Sequence, residues 1–260
     1  MSKILISGYY GFANAGDEAM LTAIIESLRQ VEKNVELTVL SGNPEDTAAK
    51  HQVCSVYRFN PLGIIRAMKD SELIISGGGS LLQDVTSKRS LLYYLSIIGL
   101  GKFFGKKVML FAQGIGPIRA KWARKLTSLV CNEADLITVR DSESAAELIE
   151  MGVKPEKITV TADSVLSLNP VTKECGQYLL QEAGVDLTKP VIGISVRPWS
   201  GDSQCFQVLA EAASNLQQSY GAQLILLPLQ YSVDVKACEK LRKALVCQKA
   251  VSYTHLRAHE

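Results

Sequence analysis

The 260-residue sequence predicts an α/β fold in two units, a complete doubly wound parallel sheet followed by a shorter Rossmann-like unit. Three observations carry that prediction. Short apolar runs alternate with amphipathic segments of ~10–15 residues, the pattern of parallel strands joined by crossover helices. Glycine-rich or charged loops follow nearly every run, as expected where ligands gather beyond the carboxyl ends of parallel strands. The same alternation restarts after Asn169-Pro170, so one unit spans residues 1–168 and a second spans 169–250.

The elements follow in order. Ile4–Ser7 reads as a strand, and Glu18–Val31 as a helix with Met20, Leu21, Ile24, Ile25 and Leu28 on one face. Val35–Leu40 is a strand, Pro61–Lys69 a helix with proline in its first turn, and Glu72–Ser76 a strand. A helix over Leu91–Phe104, a strand over Lys107–Phe111, a helix over Ala120–Asn132 and a strand over Leu136–Val139 come next. The helix Ser142–Met151 stops at Gly152, a suitable C′ residue, and the strand Ile158–Thr161 closes the unit. Beyond the boundary lie helices at 176–183, 205–220 and 233–245 and strands at 191–196 and 223–227. Two strands are too few to bury a sheet core, so the second unit reads as cut short. The final segment VSYTHLRAHE, residues 251–260, breaks the periodicity and is similar to a translated cloning tail.

Composition narrows the function. A formal charge of +2 without a basic tract gives no reason to expect a nucleic-acid partner. Six cysteines without CxxC spacing and three histidines argue against zinc and for reduced thiols in the cytoplasm. His51 reads as a surface residue, and no metal and no cofactor are expected. MSKILIS enters a strand directly, without a signal-peptide core. The apolar stretch 90–102, bracketed by Arg89 and Lys102, is too short for the ~20 residues of a membrane span. It is a core helix or an interfacial one.

The chemistry sits in the loops. SGYYGFANAGDEAM, residues 7–20, matches neither GxGxxG nor a P-loop. With Asp17 expected at the N-cap and Glu18 beside it, an anion would be repelled there. The loop therefore reads as a hydroxyl binder, with Tyr9, Tyr10 and Phe12 as stacking faces and Asn14, Asp17 and Glu18 as acceptors. Gly77-Gly78-Gly79-Ser80, continuing to Gln83 and Asp84, offers backbone N–H groups and a following helix N-terminus to an anion. Gln113-Gly114 follows the next strand. Arg140 leaves its strand at the crevice edge, where its fork can hold carboxylate or phosphate, or can pair with Asp141. Asp163 is an acid without an evident helix to cap. The second unit adds Arg197, in SVRPW, and Gln230. Two arginines, glycine-rich turns and several acids fit a compact, multiply charged anion and a hydroxyl-rich partner.

SGYYGFANAGDEAML, ISGGGSLLQDVTSKRSLLYY, FAQGIGP, VRDSES, TADS and GISVRPW occur in that order. Together they make residues 3–250 similar to the bacterial polysaccharide pyruvyl transferases, of the cell-surface-anchoring (CsaB-like) type. The resemblance implies transfer of the pyruvyl unit of phosphoenolpyruvate to N-acetylmannosamine of a lipid-linked cell-wall precursor. A 4,6-ketal forms and phosphate leaves. It implies a cytoplasmic enzyme peripheral to the membrane, whose product is a wall epitope bound by S-layer homology domains. It implies the two-domain GT-B architecture, and a homo-oligomer is compatible with it. Arg140, Asp163 and Asp17 are then the expected catalytic residues, and Arg89 joins the substrate-binding set. The family pattern continues beyond residue 250 to an Arg-x-His segment, so this chain reads as C-terminally truncated, with its activity in question. A nucleotide-sugar glycosyltransferase and an inactive sugar-binding fragment are the other readings.

Overall fold

The computed structural model describes residues 2–198, 202–245 and 251–252. By internal contacts the chain divides into Met1–Phe12 with Gly16–Leu168, and Ala13–Ala15 with Asn169–Glu260.

In the first unit β1 (Lys3–Tyr10), α1 (Ala15–Val31), β2 (Glu36–Ser41), α2 (Pro44–His51) and β3 (Cys54–Tyr57) form one half of the sheet. α3 (Pro61–Asp70) crosses to β4 (Leu73–Gly77). Then come α4 (Lys88–Phe103), β5 (Lys107–Gln113), α5 (Lys121–Glu133), β6 (Leu136–Val139), α6 (Ser142–Glu150) and β7 (Ile158–Val160). Seven strands lie in the order β3-β2-β1-β4-β5-β6-β7, all parallel. The order reverses between β1 and β4, which makes their carboxyl ends the switch point where such sheets hold ligands.

Strand alternation distributes the core over both faces. Leu5 and Ile74 pack with α3, α4, α5 and α6, whereas Ile4, Ile6 and Ile75 pack with Leu21 and Ile24 of α1. The central strands are apolar on both sides because both faces are covered. Each fully buried Leu or Ile contributes roughly 1.5–3 kcal/mol.

Two elements went unpredicted, α2 and β3. PEDTAAKH buries only Thr47, so no apolar stripe marks this helix; it is held by Pro44 in its first turn and by Asn43, which caps Asp46 N–H. β3, CSVY, is an edge strand with no buried residue. α1 also starts earlier than predicted, at Ala15, so Asp17 lies inside its first turn and is not the N-cap.

The second unit contains α7 (Lys173–Glu182), β8 (Val191–Ile194), α8 (Asp202–Tyr220), β9 (Gln223–Leu226), α9 (Tyr231–Ala244) and β10 (Val251–Ser252). The sheet order is β10-β9-β8, with β10 parallel to β9 through Val251–Ile225 and Ser252–Leu226. Two residues of the segment set aside as a tail therefore form a third strand. His255 and His259, and Trp199 of SVRPW, lie outside the described residues.

Candidate active site

The carboxyl edge of the first sheet carries two clusters. One centres on Arg140, the first residue after β6. Its Nε donates to Asp141 Oδ2 at 3.2 Å, Nη1 to Asp163 Oδ2 at 3.4 Å, and Nη2 to Ser80 Oγ at 3.2 Å. The side chain remains about a third exposed. Gly114 makes this packing possible: a Cβ there would stand 2.7 Å from the Arg140 guanidinium carbon and from Ser80 Oγ. Three strand ends thus converge on one cation, with Ser80 after β4, Gly114 after β5 and Arg140 after β6. Asp163, beyond β7, adds a carboxylate.

Both acids also serve the backbone. Asp141 caps α6 by accepting from Ser144 N–H at 2.7 Å, and bonding to Ser144 holds its carboxyl below the usual carboxylate range, aided by Arg140. Asp163 does have a helix to cap, contrary to expectation: it accepts from Val165 N–H and opens the short 3₁₀ turn Ser164–Ser167. Of the two sequence readings of Arg140, the carboxylate-paired arrangement is the one adopted.

The glycine turn differs from expectation. Gly78 and Gly79 take φ of +65° and +70°, the left-handed region that glycine enters freely. No helix starts behind them, however, because α4 begins only at Lys88, capped by Ser87. The Gly78 N–H already bonds Phe111 O, and Gly79 O accepts from Gly114 N–H. The turn serves close approach: a Cβ on Gly79 would stand 3.2 Å from Asp17 Oδ1. Asp17 therefore faces the glycine turn across the switch point.

Several expected binding residues are structural. Tyr10 is only 1% exposed, so it offers no stacking face; its hydroxyl donates to Gly77 O at 2.9 Å, joining β1 to β4. Burial raises its pKa well above the usual phenol range. Gln113 is fully buried, and its Nε2 donates to Ser76 O and Ser76 Oγ. Asp84 accepts from the N–H groups of Ala120 and Arg119, bonds that lower its pKa and fix the start of α5. Glu18 accepts from Gly11 N–H at 2.8 Å and lies 3.7 Å from His51 Nε2. His51 is not a surface residue: its side chain is largely covered. Arg89 sits exposed in the first turn of α4. Asn14 belongs to the short stretch that groups with the second unit.

The second cluster was missed. Arg58, one residue past β3, is 4% exposed and surrounded by the rings of Tyr9, Phe12, Phe59, Tyr93 and Tyr94, with centroids 4.5–5.9 Å from its guanidinium carbon. Tyr9 and Phe12 stack at 4.3 Å. Arg58 donates to Gly8 O at 3.4 Å and to Tyr94 Oη at 3.3 Å, and pairs with no carboxylate among the described residues. The aromatic residues expected to stack on a sugar instead enclose a cation. The only sequence cue was aromatic density around a basic residue, in YRF and YYGF.

In the second unit Arg197 Nη2 bonds Gln230 Oε1, and its Nε lies 3.7 Å from Asp234 Oδ1. Asp234 is buried and also accepts from Gln230 N–H at 2.7 Å. Arg197, like Arg140, is thus held by acid and uncharged acceptor together, but by one carboxylate where Arg140 has two.

A family model for polysaccharide pyruvyl transferases matches residues 14–257, nearly the whole chain. The chain belongs to that family. It is therefore a transferase, and pyruvyl transfer is the family's reaction. The match extends over the junction into the last ten residues. No curated protein sequence matches. Among solved structures, HepE from Anabaena, in complex with UDP-glucose, aligns with TM-score 0.61 at 14% identity over 97% of this chain and 68% of that one. A putative UDP-N-acetylglucosamine 2-epimerase from Listeria monocytogenes aligns at 0.60 and 12% identity, covering 98% and 69%. A glycosyltransferase from Rickettsia africae aligns at 0.58 and 14%, covering 97% and 68%. At these identities the likeness concerns the fold, which is GT-B-like.

Proposed function

We propose that this pyruvyl transferase takes phosphoenolpyruvate as donor and N-acetylmannosamine of a lipid-linked cell-wall precursor as acceptor. It forms a 4,6-ketal at the cytoplasmic face of the membrane, as in the cell-surface-anchoring type. The observation that carries this reading is Arg140, a partly exposed cation at the sheet's carboxyl edge whose present partners are exchangeable acids and a hydroxyl.

The donor's carboxylate or phosphate displaces Asp163 from the guanidinium, gaining a charge-assisted bond in its place. Asp163, released, accepts a proton from a sugar hydroxyl. The vinyl carbon of the donor gains a proton, the adjacent carbon is attacked by the first hydroxyl, and the second hydroxyl displaces phosphate. Two hydroxyl protons are lost; one balances the new methyl group and the other leaves with phosphate. Asp17, facing Gly79, is a further acid at this edge. Ser80 holds the guanidinium plane. No cofactor enters the scheme.

The test is phosphate release from phosphoenolpyruvate with the lipid-linked disaccharide as acceptor, compared with Arg140→Ala and Asp163→Asn. Acceptor-dependent release lost in both variants is expected. A second reading, nucleotide-sugar glycosyl transfer, is favoured by the UDP-glucose held by HepE. It predicts nucleoside diphosphate release and indifference to phosphoenolpyruvate. Sugar binding without either release would mark a non-catalytic binder.

A further inference from the structure

α4 is apolar nearly all round. Residues 90–101 contain no charge, and the buried face formed by Leu91, Tyr94, Leu95, Ile97, Ile98 and Gly101 accounts for only half of them. The opposite face presents Leu92, Leu100 and Phe103, the last 81% exposed. A helix facing water normally carries polar residues there. The flanking helices continue the strip with Leu62 of α3, 81% exposed, and Trp122 of α5. A cleft of about 260 Å³ opens between α3 and α4, walled by Pro61, Ile65, Ile97 and Leu100.

Charge follows the same surface. α3, α4 and α5 contain eight basic residues and two acidic ones, Asp70 and Glu133, while α6 on the same face adds Glu143, Glu147 and Glu150, the last two paired with Arg124. Lys69, Lys88, Arg89, Lys121 and Lys125 are exposed and make no ion pair among the described residues. α1 and α2, which right-handed crossovers place on the other face of the sheet, carry five acids against Arg29 and Lys50. An apolar strip rimmed by cations complements an anionic lipid surface, which accepts both. A second copy of the chain would set these cations against one another.

We propose that the outer surface of α3, α4 and α5 docks on a bilayer containing anionic lipids, with Leu100 and Phe103 entering the headgroup boundary. Among the described residues no helix is long and apolar enough to cross a membrane, so the face lies on the bilayer and does not span it. The N-terminal end of α4 lies at the carboxyl edge of the sheet, so a docked layer holds the Arg140 cluster near the surface. The inference stands on this surface alone, not on the acceptor proposed above.

The test is co-sedimentation of the full chain with phosphatidylcholine vesicles, with and without phosphatidylglycerol, alongside analytical ultracentrifugation. Binding only to the anionic vesicles, weakened by salt, is expected. Lys121→Glu with Lys125→Glu should weaken it about ten-fold or more, and Leu100→Ser with Phe103→Ser by a similar factor, at unchanged thermal midpoint. Absence of vesicle binding overturns the proposal, as does equal binding by the variants. A dimer dissolved by the Leu100/Phe103 variant while vesicle binding persists assigns the face to a second copy and overturns it equally.

Discussion

Arg58 and Arg140 stand at the same edge of the same sheet, each just past the end of a strand, in opposite surroundings. Arg140 is held by two carboxylates and a hydroxyl and stays partly in water, so exchanging one partner for an anionic ligand requires little desolvation. Arg58 is enclosed by five rings and bonded to a carbonyl and a phenol. The rings attract its charge through their π faces, and its alkyl stem packs as an apolar side chain does. An arginine at a ligand edge is therefore not by itself a ligand site. Its partners decide whether it is available, and exchangeable partners are the mark of the available one.

The largest expected effect separates the two roles outright. Arg140→Ala should lower kcat/KM for phosphoenolpyruvate about a hundred-fold, since it removes charge-assisted contacts to the donor. Its stability should fall by less than about 1 kcal/mol, because exposed ion pairs contribute little. A large loss of stability with activity intact, read from urea unfolding beside the phosphate assay, would reverse the comparison.

Arg58→Ala should do the opposite and cost about 3 kcal/mol through the cavity left among the rings. Arg58→Met should recover most of that, since an apolar isostere avoids the burial of a charge. Equal losses in the two variants would show that the charge, not the packing, holds the cage.

Gly114→Ala sharpens the Arg140 side. The new methyl group, 2.7 Å from the guanidinium, must push it away from Ser80. A KM for the donor raised about ten-fold, the equivalent of roughly 1.4 kcal/mol, is expected with the thermal midpoint nearly unchanged. An unaltered KM would show that the guanidinium has room to spare.

The smallest effect concerns alkaline stability. Burial pushes the Tyr94 phenol up to about 12, partly offset by Arg58. The folded chain then keeps a proton that the unfolded chain releases near pH 10, so this contribution is whole below pH 10 and is lost as pH rises towards 12. Tyr94→Phe should make the alkaline limb of a denaturation-versus-pH curve shallower. A limb as steep as before would place the alkaline weakness elsewhere, with Tyr10 and Cys131, also raised by burial, as the next groups to replace.

The strands and most helices were legible because each writes its burial as a local period, as β4 and α1 do. α2 and β3 write none: one buries a single threonine and the other is an edge. Those two elements bring in His51 and Arg58, so missing them hid the aromatic cage. The cage joins rings from residues 9–12, 59 and 93–94, a proximity that no local pattern encodes. Arg140 and Asp163 were visible as charges following strands, but the acids' second duty as helix caps depends on where the helices start. Gln113 and Tyr10 misled for a common reason. A polar side chain at a strand end reads as ligand-facing, yet here each bonds the neighbouring strand.

The bond from Tyr10 to Gly77 closes a gap of 67 residues. Pairing across such a distance incurs a loop-closure entropy that nearby contacts avoid. β1 is synthesised before β4, so its ligand-facing end, which pairs with β2 through Tyr10 and Ser41, acquires this second neighbour only after β4 has emerged. During synthesis the crevice is consequently younger than the sequence that begins it, and a nascent chain shorter than about residue 77 has the opening loop without the partner that fixes its shape.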